Sequence, residues 1–244
     1  MIVKPYSNND GSKKEQVTEM FNRIAPSYDK LNSWLSFRVD KIWRRRVVKI
    51  VQEFKFPNVL DVATGTGDLA IAMAKKVRLN TVYGVDISSG MLELAKQKVL
   101  KNQLQHKVLL KEGDSENLPF DDSTFDVVTV AFGVRNFGNL NEGLKEMTRV
   151  LKPGGKMIVL ELSKPSLFPM RDLYRFYFTK ILPWWGGLIS NDKEAYSYLP
   201  ASVSKFPEGE FFDAELIKVG MEPVKRMKQT FGIATIYIAK KPMQ

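Results

Sequence analysis

Val59-Leu60-Asp61-Val62-Ala63-Thr64-Gly65-Thr66-Gly67-Asp68 decides how this chain is read. An apolar run with the look of a buried strand ends in a glycine-rich turn. The sequence then turns helical, with Leu69, Ala70, Met73 and Ala74. Glycine lets the backbone turn sharply and approach a ligand closely, and the helix that follows offers free N–H groups. About twenty residues on, a second apolar strand, Thr81-Val82-Tyr83-Gly84-Val85, ends in Asp86. An acid in that place can accept hydrogen bonds from both hydroxyls of a ribose. The pattern predicts a nucleoside-cofactor site at the carboxyl edge of a parallel sheet.

Two cofactors fit the turn. Gly65-Thr66-Gly67-Asp68-Leu69-Ala70 is a permitted form of the dinucleotide fingerprint. Three features favour S-adenosyl-L-methionine over a nicotinamide. Asp61 lies inside the first strand, where it can meet the ammonium end of a methionine moiety; a pyrophosphate would gain nothing from that charge. Val108-Leu109-Leu110-Lys111 is a third strand, and Glu112-Gly113-Asp114-Ser115 after it puts an acid and a hydroxyl beside an adenine amino group. Leu151-Lys152-Pro153-Gly154-Gly155-Lys156 turns directly into the strand Met157-Ile158-Val159-Leu160-Glu161-Leu162. Together these resemble the class I methyltransferases. The candidate cofactor-binding residues are Asp61, Gly65, Thr66, Gly67, Asp86, Asp114 and Ser115.

Composition narrows the chemistry. The chain has 244 residues, 44% of them hydrophobic, enough for one large α/β domain. There are no cysteines, which excludes disulfides, thiolate metal sites and base methylation through a cysteine adduct. The single histidine, His106, sits in a polar stretch and reads as a turn residue; no metal site is expected. No apolar run reaches the ~20 residues that span a bilayer, and Lys4 to Glu15 is too polar for a signal peptide. A cytoplasmic protein is expected. The net charge of +10 favours nucleic acid or anionic lipid as partners. The charges are dispersed, the longest basic run being Arg44-Arg45-Arg46.

Along the chain, residues 1–11 read as disordered and 12–244 as one methyltransferase domain. Within it, 12–54 form a helical lid, 55–162 the cofactor-binding core, 163–204 a substrate lid insertion and 205–244 a C-terminal helix and hairpin. Ser12 and Glu15 have capping-box spacing. The first helix is expected to stop before Pro26, with a loop over Ser27 to Ser36 and an amphipathic helix from Phe37 to Phe54. Strands are expected near 58–63, 81–86, 107–111, 125–131, 156–162, 222–229 and 233–240, with helices near 68–76, 89–101 and 140–150. The fold class is α/β, a doubly wound seven-stranded Rossmann-like sheet. Its last two strands bracket Thr230-Phe231-Gly232 as a hairpin, so one of them runs antiparallel.

A closer resemblance lies in three further segments: Tyr28-Asp29-Lys30-Leu31-Asn32-Ser33-Trp34-Leu35-Ser36 with Trp43; Phe132-Gly133-Val134-Arg135-Asn136; and Arg149-Val150-Leu151 through Glu161-Leu162-Ser163. They resemble the quinone-biosynthesis C-methyltransferases, which act on demethylmenaquinone and polyprenyl-benzoquinol, from about Glu15 to the C-terminus. Asp40 stands where that family usually has histidine, and Asp114-Ser115 where Asn-Ala is frequent. A hydroxyl residue is common in some members where Ala131 stands. The resemblance implies methylation of a ring carbon beside a quinol hydroxyl, demethylmenaquinol first and the benzoquinol of ubiquinone synthesis second. Methylation of RNA is a distant alternative.

A phenol ionises near pH ~10, so the site must favour the phenolate. Arg135 is the candidate to stabilise it. Asn136 and Tyr28 are candidates to hydrogen-bond the second oxygen or a water, and Asp29 to act as base. Met170, Leu173, Tyr174, Tyr177 and Ile181 follow helical spacing in the insertion, where a lid helix packed on the core is preferred. Trp184 and Trp185 suit a membrane interface or the wall of a quinol pocket. Transient peripheral contact with a membrane is therefore expected, no nucleic-acid partner is, and homo-oligomerisation stays open.

Overall fold

The computed structural model of the protein describes residues 3–6, 10–181 and 193–243. Its strands are β1 (Asn58–Val62), β2 (Thr81–Asp86), β3 (Val108–Glu112), β4 (Phe125–Ala131), β5 (Leu151–Leu162), β6 (Glu222–Gln229) and β7 (Ala234–Lys240). They form a seven-stranded sheet in the order β3-β2-β1-β4-β5-β7-β6. The first five pair in parallel, while β7 is antiparallel to both β5 and β6. The closing hairpin and the doubly wound order match the sequence expectation. Strand order reverses between β1 and β4, the place where such sheets bind ligands at their carboxyl ends. β5 begins at Leu151, earlier than the expected 156. Leu151 pairs with Phe125, and a register shift then carries the chain past Gly154, at φ +77°.

Helices cover both faces, so the central strands are apolar on both sides. Val59, Val127, Ile158 and Ile236 point to one face and pack with Trp43, Val47, Val51, Leu69 and Met73. Their neighbours Leu60, Val128, Met157 and Tyr237 point to the other, against Leu144, Met147, Phe212 and Leu216. This period of two splits one sheet between two cores. The first core uses α2 (Val39–Val51) and α3 (Asp68–Lys76); the second uses α5 (Leu140–Val150) and the helix Glu210–Lys218. Helix α4 (Ser89–Lys101) stands between β2 and β3 in the chain.

The N-terminal region differs from expectation. The capping box forms: the Ser12 amide donates to Glu15 Oε2 at 2.8 Å, and the Glu15 amide to Ser12 Oγ at 3.2 Å. The helix α1 (Lys13–Leu35) then runs through Pro26 instead of stopping, and takes in most of the expected loop. A proline inside a helix costs about 3 kcal/mol. Tertiary contacts offset that here. Asn22 Oδ1 accepts from Ser88 Oγ at 2.7 Å and the Gly90 amide at 3.0 Å, tying α1 to the start of α4. Ser27 Oγ donates to the Ile24 carbonyl at 3.2 Å beside the proline. The second helix is shorter than expected because Phe37 and Arg38 take left-handed φ of 49° and 62°.

Residues 1–11 read as disordered, but Tyr6 is buried with Val17, Met20 and Tyr198. Its amide donates to Gln16 Oε1 at 2.9 Å. One aromatic ring gives this polar segment enough apolar surface to pack. His106 is exposed in a turn, as expected. In the insertion, α6 (Met170–Phe176) continues as a π-helical stretch, Tyr177–Ile181, and α7 spans Lys193–Lys205. Trp184 and Trp185 lie outside the described residues.

Candidate active site

At the switch point, the carboxyl ends of β1, β2 and β4 open on a narrow cleft. Gly65, Asp86, Asp114, Ser115, Tyr28 and Asn136 all line it. Asp86 is buried at the end of β2; one carboxylate oxygen accepts from the Gly65 amide at 2.7 Å and the other from the Ser88 amide at 2.9 Å. Burial pushes its carboxyl above the usual range, against these backbone donors. Gly65 has φ +56°, and nothing stands within 4 Å of where a Cβ would lie, so the turn presents open backbone to the cleft. Asp114 accepts from Lys14 Nζ at 2.6 Å and from the Glu116 amide at 2.9 Å.

Three other candidates sit behind this surface. Asp61 is buried and does not line the cleft. Thr64 and Thr129 hydroxyls donate to its two oxygens, each at 2.7 Å. Burial pushes its carboxyl up to about 6, opposed by those hydrogen bonds and by Arg44. Thr66 Oγ1 donates to Asp29 at 2.6 Å. Gly67, at φ +78°, precedes α3; a Cβ there would lie 3.3 Å from that of Ala95. These residues shape the turn from within.

Beside the cleft lies a larger, mostly apolar cavity of about 540 Å³. Helices α1, α2 and α6 wall it, with Trp43, Leu173, Tyr174 and Tyr177 among its lining. Tyr28 and Phe132 line both spaces, so the two meet there. Phe132 follows β4 with φ 62°, and Ala63 follows β1 with φ 50°. A bulky residue in the left-handed region stores strain of about 1–3 kcal/mol, a feature that clusters at functional sites.

The expected catalytic set divides. Tyr28 and Arg135 line the large cavity, but Asn136 lines the cleft, and its buried Oδ1 has no partner among the described residues. Asp29 lines neither space. Its oxygens take hydrogen bonds from Thr66 and from Lys98 Nζ at 2.9 Å, so an ion pair at the back of the turn replaces the expected base. Arg135 is not a lone cation: its guanidinium meets the fully buried Glu161 at 2.7 Å and donates to the Phe132 carbonyl at 2.6 Å. In the sequence Glu161 reads as one more position of the strand Met157 to Leu162. Its only sequence signal is a charge inside an apolar run.

Two further sets have no role assigned by the sequence, although Asp40 is marked there as a departure from the family's histidine. Lys13 Nζ donates to the carbonyls of Arg135 and Phe137 at 3.0 and 2.6 Å, and burial lowers it to about 8. Buried Asp40 and half-buried Arg44 form an ion pair on the wall of the large cavity. The Arg44 guanidinium also stands 5.3 Å from the centre of the Phe132 ring.

The donor set fits a nucleoside with a charged tail: a carboxylate at the end of β2, an acid and hydroxyl after β3, and an unpartnered amide oxygen. The free space in the cleft, about 80 Å³, is smaller than the roughly 300 Å³ of ligand pockets. Lys14, on α1, holds that helix across the opening through Asp114 and Glu116, contacts weak enough to open.

Comparison with known proteins agrees with this geometry. A demethylmenaquinone methyltransferase of Bacteroides fragilis is 45% identical over 239 residues, covering 98% of this chain and 97% of that protein. The ubiquinone/menaquinone biosynthesis C-methyltransferase UbiE of Geobacter sulfurreducens is 45% identical over 95% of this chain and 91% of its own. Among solved structures, an S-adenosyl-L-methionine-dependent methyltransferase of Methanococcus maripaludis superimposes with a TM-score of 0.66 at 19% identity, covering 98% of each chain. The cyclase SpnF reaches 0.68 at 17% identity, over 95% of this chain and 97% of its own. A cyclase on this fold means that architecture alone does not fix the reaction. The sequence model of the ubiE/COQ5 methyltransferase family decides it, matching residues 9–241, and the chain belongs to that family.

Proposed function

We propose that this protein transfers a methyl group from S-adenosyl-L-methionine to a ring carbon of demethylmenaquinol, yielding menaquinol. The observation that carries the reading is the junction of a polar cleft and a large apolar cavity at Tyr28 and Phe132. Methyl transfer needs two ligands held end to end, and an apolar chamber suits a prenylated ring better than a nucleic acid. The cofactor, when bound, supplies an electrophilic sulfonium methyl group.

The chain's own residues do the rest. Asp86 receives the ribose hydroxyls, while Asp114 and Ser115 stand beside the adenine. Asn136, with its unpartnered oxygen in the cleft, meets the cofactor rather than the quinol. Arg135, held by Glu161, directs its dipole and remaining N–H groups at the quinol oxygen. The Arg135 Nε is buried without a partner among the described residues, which supports a polar group arriving there. Tyr28 hydrogen-bonds from the opposite wall. Packing by Trp43 and Phe132 excludes water from the junction, so positioning supplies much of the rate.

The Geobacter relative's name favours a second substrate, the benzoquinol precursor of ubiquinone. A prenyl tail resides in lipid, and no helix among the described residues is long and apolar enough to cross a membrane. Contact is therefore peripheral. Exposed Phe37 and Leu173 line the cavity, and exposed Phe231 follows Thr230 on its wall. The test is twofold. Cells lacking the protein should accumulate demethylmenaquinone by mass spectrometry. The purified protein should move label from the cofactor to the anaerobically reduced quinol. Accumulation of demethylated benzoquinone would reassign the head group, and no transfer to either quinol would reject the reading.

A further inference from the structure

Deprotonating the quinol needs an acceptor, and the expected base, Asp29, lines neither the cleft nor the large cavity and is paired with Lys98. Among the described residues that line the large cavity, one carries a carboxylate: Asp40. It sits in the first turn of α2, buried, with Ser36 Oγ donating to one oxygen at 2.8 Å and the Arg44 guanidinium on the other. Arg44 in turn stands over Phe132, the residue where cavity and cleft meet. The carboxylate thus lies on the cavity wall, one ion pair away from the residue where cavity and cleft meet. An ion pair placed only for helix stability has no need of this site, and surface pairs of its spacing contribute just a few tenths of a kcal/mol.

We propose that Asp40 is the proton acceptor for the quinol hydroxyl, and that Arg44 holds its carboxylate in place. This rests on the quinol reading above. The O–H proton moves to the Asp40 carboxylate. The oxygen lone pair drives the ring carbon onto the methyl group; the carbon–methyl bond forms as the sulfur–methyl bond breaks, and the sulfide leaves with that electron pair. The methylated ring carbon then loses its own hydrogen as a proton to water, and Asp40 returns its proton to the ring oxygen. One proton is released in all. In the proton transfer Arg44 exchanges a carboxylate neighbour for a phenolate, so that step leaves the cavity's net charge unchanged. That constancy matters in an apolar space, where an unpaired charge is costly. The other titratable or charged groups facing the cavity are Arg135, Tyr28 on α1, and Tyr174 and Tyr177 of the α6 region. Burial raises the last two phenols, which makes them poor proton acceptors at neutral pH.

The test uses the full-length protein and two readouts. In turnover of demethylmenaquinol, Asp40→Asn should lower kcat by about 100-fold or more and leave cofactor affinity within error. Its residual rate should climb with pH toward the free phenol's ionisation near pH ~10, while the parent's does not. Asp40→Glu should recover at least a tenth of the parent rate. The second readout needs no cofactor: fluorescence titration with 1-naphthol and with its methyl ether. The parent should prefer naphthol by about 10-fold or more, the worth of a hydrogen bond to a charged acceptor, and Asp40→Asn should lose the preference. A parent that binds both probes equally overturns the proposal, whether or not any variant folds. So does an Asp40→Asn protein with parental kcat or pH profile, or a folded Asp40→Glu no faster than it. A parent chain that turns over neither quinol would instead reject the functional reading itself.

Discussion

Asp86 and Asp61 stand one strand apart at the same sheet edge, yet they do different work. Asp86 lines the cleft, so Asp86→Ala should weaken cofactor binding by about 1.5–3 kcal/mol, the worth of hydrogen bonds to a charged group. Calorimetry with unchanged affinity would refute its ribose role. Asp61 is sealed behind the turn, and folding raises its carboxyl from 3.8 to about 6. The native state then holds this proton more tightly than the unfolded chain, so stability is lost as pH rises through about 4 to 6. Asp61→Asn should flatten that fall and add up to about 3 kcal/mol at neutral pH, read by urea denaturation across the range. Asp86, shifted the same way, leaves part of the slope in place. Glu161→Gln is the harshest of the three. It strands the Arg135 charge in a buried site and should cost about 3–5 kcal/mol, and a loss below 1 kcal/mol would mean that water reaches the pair. The sequence assigns Asp86 to the ribose and Asp61 to the ammonium end of the methionine; that Asp61 is sealed behind the turn and that Glu161 holds Arg135 was illegible in it.

The helix α1 is the element on which local rules failed. Its start was readable, because the Ser12 and Glu15 box needs only neighbours in the chain. Its continuation past Pro26 was not, because the compensation comes from Ser88 and Gly90, more than sixty residues away. The same contact suggests how the cleft admits its ligand. Asn22→Ala should loosen α1 and speed both binding and release of the cofactor about fivefold, as expected for a lost hydrogen bond near 1 kcal/mol. Stopped-flow rates equal to the parent's would show that α1 does not gate entry. The insertion repeats the lesson in weaker form. Its apolar spacing predicted a helix from Met170, which forms; that its Leu173 and Tyr177 would wall a cavity depended on α1 and α2 arriving opposite.

Across the whole molecule, the +10 charge and the exposed aromatic side chains near the cavity suggest one common partner, an anionic bilayer. Phe37 and Phe231 are both well exposed and both held at left-handed φ, 49° and 57°. Weak binding to anionic vesicles at low salt is expected, each well-placed Lys or Arg adding about 1 kcal/mol. Replacing Phe37 and Phe231 with serine should reduce flotation while leaving the melting transition intact. Flotation equal to the parent's would rule these two side chains out as the contact and turn attention to Trp184 and Trp185.

Sequence by itself determined the sheet, its strand order class and the cofactor edge. Those follow from apolar periodicity, from glycines that must turn the backbone and from acids placed at strand ends, all rules that act between near neighbours. It also carried the family, through runs such as Phe132 to Asn136. Only the tertiary structure decided which charges are spent on one another. Asp29 is taken by Lys98, Arg135 by Glu161, and Asp40 is left facing the cavity with Arg44. Ion pairing depends on distances between segments far apart in the chain, and no local pattern encodes those distances. The meeting of two cavities at Tyr28 and Phe132 is a property of the packed chain for the same reason.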